Sequence, residues 1–208
     1  MEIPAFFASY ESGDMLVSDG HFSSVEPKKG HRTYPFTRKV SECLPSSQRP
    51  PVTIIDCNSF EEREFIGDVM KHLKLHGTEI WFFTYIETVE DVFDAFNKDA
   101  SLVFAPFHFI ANDSELRDIC NVSDSVVPVV FVHKGKAILP GGRQDDVLKV
   151  LDKLVSIGYY RNCVLDMEGS LGGYTWSVIG EDYPSTIPFM DRPDGMESFS
   201  NVIAPYLL

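Results

Sequence analysis

The sequence lacks three features that would point directly to a function: a cysteine pair at metal or redox spacing, a basic cluster and a long apolar run. Its four cysteines are isolated, so neither a zinc knuckle nor a thioredoxin-type dithiol is indicated. Lys and Arg number 18 against 31 Asp and Glu, which gives a formal net charge of -13. We therefore expect no nucleic-acid partner, since such partners select a concentrated cationic surface.

No apolar run approaches the roughly 18 residues that a membrane-spanning helix needs. The first residues, Met1-Glu2-Ile3, also lack the positive charge that opens a secretory signal. These absences predict no membrane partner and a cytoplasmic protein whose cysteines stay reduced.

What the chain does contain is a strand-then-helix unit that recurs along its length. Continuous apolar strands followed by helical periodicity are typical of a parallel sheet covered by helices. We predict a single α/β domain over residues 1–208, barrel-like, with an irregular segment at about 20–51. About seven strands are indicated, which leaves open how the barrel closes; they lie at 3–9, 52–56, 80–84, 102–108, 127–133, 163–166 and 186–191.

Several local signals add detail to this pattern. Ser59 and Gly77 bracket a predicted helix, and Thr88 with Asp91 predicts a capped start for the next one. The stretch 175–185 reads as a small hairpin or an irregular excursion, and residues 196–208 as a final helix. With no eighth unit, the open barrel edge would need covering by the amino-terminal segment or by a second copy in a homo-oligomer.

The order of motifs resembles the phosphoribosyl isomerase family of histidine biosynthesis, whose barrel enzymes perform an Amadori rearrangement of an aminoaldose phosphate. IPA, SGDMLV and DGH are similar to the family's first strand and hairpin, VTIIDC to its second strand, and EIWFFTYIETVEDVFDAF to its third unit. SLVFAPFHFIANDSELRDI and VVFVHKGKAI are similar to the fourth unit and fifth strand, and DMEGSLGG to the end of the sixth strand and its glycine loop. The resemblance implies a TIM barrel that binds a sugar phosphate.

The chain departs from this family where the chemistry lies. Family members carry acid/base aspartates at the ends of the first and fifth strands, where this chain has Phe7 to Ser9 and His133. Thr84-Tyr85 and Met190-Asp191 stand where phosphate-admitting glycines would be expected. The resemblance therefore implies a shortened, diverged member without the ordinary reaction.

Polar residues that end the predicted strands form the candidate catalytic site. In a parallel α/β fold the carboxyl ends of the strands share one face, so these side chains would surround a common mouth. Carboxylates there could act as acid and base, and histidines as proton carriers. Two histidines with a carboxylate could also ligate a metal, but no local ligand spacing backs this, so we predict no metal. The catalytic candidates are Asp56, His108, His133, Asp166 and Glu168.

A glycine-rich loop follows the sixth predicted strand and offers backbone amides to an anion. Such a loop is a weak signal, since it equally suits a turn. We predict that a phosphorylated small molecule would contact Gly169, Ser170, Gly172 and Gly173, without any cofactor.

Three functions remain open from sequence alone. A small-molecule enzyme or binder requires the candidate side chains to converge within about 8 Å in a concave pocket. A catalytically inactive scaffold or interaction protein predicts that they are scattered or engaged in structural bonds. A thioredoxin-like fold without CxxC is the third alternative, suggested by Val127-Pro128 before a predicted hairpin.

Overall fold

Eight parallel strands form a closed barrel. The computed structural model describes residues 1–44, 50–75, 77–97 and 100–208. The barrel strands are β1 Glu2–Glu11, β2 Val52–Asp56, β3 Ile80–Phe83, β4 Leu102–Pro106, β5 Val126–His133, β6 Asn162–Leu165, β7 Thr186–Phe189 and β8 Val202–Pro205. Each strand pairs in parallel with the next, and β8 pairs with β1 to complete the ring. The predicted α/β barrel is therefore confirmed.

The barrel closes through an eighth strand that the sequence pattern did not reveal. Ile203 pairs with Phe189 of β7 on one side and with Ile3 of β1 on the other. The predicted helix over 196–208 is wrong, and the count of about seven strands is corrected to eight. A four-residue apolar run carries too little periodicity to separate strand from helix, and Val202 and Ile203 are β-branched residues that favour a strand.

Helices cover the barrel on its outer side. In the described ranges there are seven, and none of them is long and apolar enough to cross a membrane. The predicted hairpin or excursion over 175–185 is wrong, because these residues belong mainly to α7. The helices are α1 Phe36–Cys43, α2 Cys57–Glu62, α3 Asp68–His72, α4 Val89–Phe96, α5 Asp113–Val122, α6 Val147–Ile157 and α7 Gly173–Asp182.

The single helix predicted from Ser59 to Gly77 is broken into α2 and α3. Arg63 ends α2 in the left-handed conformation, with φ of 56°, and Gly67 precedes α3 with φ of 71°. The hydroxyl of Ser59 accepts a hydrogen bond from Ile66 N at 3.0 Å, and this bond links α2 to the segment between the two helices. Ser59 is therefore not the cap; Asp56 is, because its side chain accepts from Ser59 N. His76, in the last turn of the predicted helix, lies outside the described residues.

Other predicted signals are present. Asp91 accepts a hydrogen bond from Thr88 N at 2.9 Å at the start of α4, as the capping pattern predicts. The predicted hairpin after the first strand is also confirmed, since Asp14–Ser18 pairs antiparallel with β1. The thioredoxin-like alternative is wrong: Lys136–Ile138 does form a hairpin with β5, but β5 lies inside a closed parallel barrel.

Alternate strand residues fill the barrel with apolar side chains, many of them aromatic. The neighbouring strand residues point outward and pack against the helices in two further apolar clusters. Side chains of both faces are thus buried, which explains the continuous apolar runs in the sequence. The interior includes Phe7, Phe83, Phe104, Phe131 and Phe189, each no more than 3% exposed.

A segment that we call the strap, residues 19–32, leaves the hairpin and runs across the carboxyl-terminal end of the barrel. Its His21–Phe22 and Pro27–Lys28 pair antiparallel as a small ribbon. Glycine is required where the strap begins, because a Cβ on Gly20 would lie 2.4 Å from the Phe7 ring. The strap backbone is therefore seated directly on an aromatic side chain of β1.

Candidate functional site

The mouth at the carboxyl ends of the strands is filled by the strap. The Phe22 ring contacts four phenylalanine rings from alternate strands β1, β3, β5 and β7, with centroid separations of 5.1 to 5.9 Å. These rings are Phe7, Phe83, Phe131 and Phe189. In barrel enzymes this end carries the active site. Here an aromatic plug occupies the centre of that position.

Polar contacts fasten the strap at its edges. The buried carboxylate of Glu26 pairs with Lys28 within the strap and with Arg63, which follows α2, at 3.1 Å. Lys29 pairs with Glu11 at the end of β1. The strap is therefore tied to the loops on either side of the plug.

Asp56, at the end of β2, is fully buried and bonded on both oxygens. Its Oδ2 accepts from the Ser59 hydroxyl at 2.5 Å and from the Thr84 hydroxyl at 3.0 Å, and its Oδ1 accepts from Ser59 N. Burial raises the pKa of this carboxyl, against the opposing effect of the hydrogen bonds. The geometry makes Asp56 a link between β2, α2 and the end of β3.

Asp166, at the end of β6, is also fully buried and organises the glycine-rich loop. Its Oδ1 accepts from Ser170 N and from the Ser170 hydroxyl, at 2.9 and 3.0 Å, and its Oδ2 accepts from Leu171 N at 2.8 Å. Ser170, a predicted phosphate contact, therefore has its hydroxyl directed at a carboxylate, and that hydroxyl also accepts from Gly135 N.

His133 and Glu168 meet at the rim between β5 and β6. His133 Nδ1 lies 2.7 Å from Glu168 Oε1, and Lys134 N donates to Glu168 Oε2 at 3.1 Å. The bond from Lys134 N, together with His133, lowers the pKa of Glu168. Of the five candidates, Glu168 is the most accessible to solvent, with 46% of its side chain exposed.

His108 lies beneath the strap and contacts it directly. Its Nε2 is bonded to the backbone oxygen of Val25, and its ring packs on Phe109 and Phe131, with centroids 4.2 and 4.8 Å away. Its Nδ1 is buried and has no hydrogen-bond partner among the described residues. Burial lowers the pKa of His108 from 6.5 to about 4. His108 thus serves as a neutral donor to the strap.

The depressed pKa of His108 predicts that acid loosens the fold. The neutral ring stabilises the folded state fully above pH 6.5, and this contribution is lost as the pH falls from 6.5 towards 4. We expect the free energy of unfolding to drop by about 2.5 kcal/mol between pH 7 and 4.5 on account of this group. Urea titrations of the wild type and of His108→Gln, whose amide can still donate to Val25, should differ by that amount. Equal pH dependences would contradict the prediction, and His31→Gln, at an exposed position, is the control.

The predicted catalytic residues therefore divide into separate structural groups. Asp56 and Asp166 each bind the loop or helix that follows their own strand, and His108 binds the strap. Only His133 and Glu168 are in direct mutual contact. The catalytic roles of these residues stay a prediction.

A concave surface does exist beside the plug, at the ends of β6 and β7. A cavity of about 500 Å³ is lined by Gly169 and Gly173 of the predicted phosphate loop and by Arg192. Gly172 caps α7 without any side-chain hydrogen bond, and added Cβ atoms on Gly172 and Gly173 would meet nothing within 4 Å. A smaller cavity of about 260 Å³ lies alongside, lined by Asp166, Glu168 and Arg192 among others.

Sequence reasoning missed the residues that define the mouth. Phe22 was overlooked because it lies in a turn-rich stretch without periodicity, and a lone phenylalanine there gives no signal. Arg192 lies next to Asp191, just after a predicted strand. This position after β7 is the signal that could have indicated it as a residue of the mouth.

The class of this protein is defined by its fold. Neither a family model nor a curated protein matches this chain. The closed ring of eight parallel strands with outer helices makes the chain a (β/α) barrel protein, and its mouth is occupied by Phe22 of the strap.

Proposed function

We propose that this chain is a noncatalytic barrel protein, a scaffold or interaction protein that keeps the fold while its own strap occupies the mouth. The observation that carries the proposal is the Phe22 ring set among four interior phenylalanines. A substrate in the usual position would have to displace this ring and the ion pairs of Glu26.

The bonding of the candidate catalytic groups supports the same proposal. A general acid or base must reach the proton that it transfers. Both oxygens of Asp56 and of Asp166 already accept hydrogen bonds from the protein, and both side chains are fully buried. These bonds engage both oxygens of each carboxylate, so neither group is free to exchange a proton with a reactant while they persist.

Turnover assays test the proposal. Purified protein incubated with aminoaldose phosphates should give no aminoketose product above the rate in buffer, and Phe22→Ala should be equally inactive. Turnover by the wild type that is lost in both His133→Gln and Glu168→Gln would overturn the proposal, because it would assign chemistry to the rim pair.

A second candidate function is binding of a phosphorylated small molecule in the cavity beside the plug. It is favoured by the uncapped start of the ten-residue helix α7 together with Arg192 on the same cavity. Backbone amides at a helix start and an arginine are the usual donors to phosphate. In this reading Gly169, Ser170, Gly172 and Gly173 shape the phosphate contact, and Glu168 lines the smaller cavity alongside.

Thermal denaturation with ribose 5-phosphate tests this second candidate. At about 100 times the dissociation constant, a ligand should stabilise the fold by roughly 2.7 kcal/mol. Arg192→Gln should remove the stabilisation, whereas Arg143→Gln, on a different cavity, should retain it. The absence of a shift in the wild type would contradict phosphate binding at this cavity.

Ancestry shared with the histidine-biosynthesis isomerases remains part of the proposal. The features that it rests on are the barrel fold and the hairpin that follows β1. No family model matches the chain. The cytoplasmic location and the homo-oligomer likewise stay predictions.

A further inference from the structure

The opposite end of the barrel, at the amino ends of the strands, holds a cavity that the strap does not reach. It measures about 440 Å³ and is lined by residues that precede or begin seven of the eight strands, with Trp81 among them. A volume in this range suits a small-molecule ligand. We call it the floor cavity.

One wall of the floor cavity carries an unsatisfied polar group. Thr186, at the start of β7, is 3% exposed and its hydroxyl has no hydrogen-bond partner among the described residues. The neighbouring Asn162, paired in register with Thr186, has an equally orphaned Oδ1. Buried polar atoms normally have partners, so a group from outside the chain is expected at this position.

Charges of both signs also line the floor cavity. Arg161 and Glu79 contribute a guanidinium and a carboxylate, and neither forms an ion pair within the described ranges. The carboxylate is oriented by a hydrogen bond from Trp81 Nε1, at 2.8 Å. Apolar side chains also line the cavity, among them Trp81, Leu102 and Ile187.

We propose that the floor cavity binds a free amino acid with an apolar side chain. The ammonium group would pair with Glu79, the carboxylate with Arg161 and the Thr186 hydroxyl, and the side chain would lie on Trp81. A zwitterion offers a partner to both charged side chains, which an anion or a cation alone does not. This site does not depend on the function proposed for the mouth, because it lies at the other end of the barrel.

Trp81 fluorescence provides the test. The chain has two tryptophans, so Trp176→Phe leaves Trp81 as the reporter. In this background we expect a saturable change in emission with L-leucine, L-valine, L-methionine or L-phenylalanine. Isocaproate, which lacks the ammonium group of leucine, and isoamylamine, which lacks its carboxylate, should each bind at least about tenfold more weakly.

Variants locate the binding. Arg161→Gln and the isosteric Thr186→Val should each weaken leucine binding about tenfold, as expected for loss of a hydrogen bond to a charged group. Arg143→Gln and Phe22→Ala should leave it unchanged, with folding verified by thermal melts. The proposal is overturned if none of the four amino acids gives a saturable change, if isocaproate or isoamylamine binds as well as leucine, or if both Arg161→Gln and Thr186→Val bind like the wild type.

Discussion

Phe22→Ala lowers the free energy of unfolding by about 3 kcal/mol, the cost of removing an aromatic side chain and leaving a cavity. The expected loss reflects its contacts with four interior rings at once. Phe22→Leu should recover part of the loss by refilling the space. Urea denaturation of the variants measures the effect.

The matched control for this prediction is Phe93→Ala. Phe93 lies on α4 and is 52% exposed, so its truncation should cost well under about 1 kcal/mol. If Phe22→Ala costs no more than Phe93→Ala, the strap does not plug the mouth in solution, and the noncatalytic proposal loses its main support.

Asp56→Ala should be still more destabilising, by about 4 kcal/mol, because it leaves the donors of Ser59 and Thr84 unpaired inside the protein. Asp56→Asn should cost far less, about 1 kcal/mol, because the amide oxygen still accepts and the buried charge is removed. Chemical denaturation at neutral pH distinguishes the two, with Asp118→Ala, an exposed position on α5, as the control.

The pH dependence of these variants separates a structural carboxyl from a surface one. Since burial raises the folded-state pKa of Asp56, the stability that it contributes is greatest at low pH and declines as the pH rises through that pKa. Asp56→Asn should abolish this decline. If the plots of unfolding free energy against pH for the wild type and Asp56→Asn run parallel through that pKa, the prediction is wrong. The Asp56 carboxyl would then titrate in the folded protein as it does in the unfolded chain.

The barrel could be predicted from sequence because its strands are buried on both faces. Runs such as 52–56 and 102–106 are continuous and apolar for that reason, and the turns between units carry their own signals. β8 was not predicted because four residues beside a loop are too few to show a periodicity. α7 was not predicted because its start is glycine-rich and its amphipathicity is weak, so that its sequence resembles a turn.

The chemistry at the mouth could not be predicted in the same way. The residues next to a strand-end aspartate such as Asp166 do not reveal whether its side chain faces a substrate or accepts hydrogen bonds from its own loop. Only the three-dimensional path of the strap shows that His108 faces the Val25 carbonyl. Long-range placement of a segment without periodicity is set by tertiary contacts, which local pattern does not encode.

The pairing of β8 with β1 has a consequence for the order in which the protein is made. The β1 strand is the first of the eight barrel strands to be synthesised, yet its partner at residues 202–205 is the last of the eight. Phe22 likewise cannot reach its full set of neighbours until Phe189 has been translated. Until then β1 presents an unpaired edge, which invites association with other chains. We expect nascent chains that end before β8 to need chaperone protection, and the barrel to close only after β8 has left the ribosome.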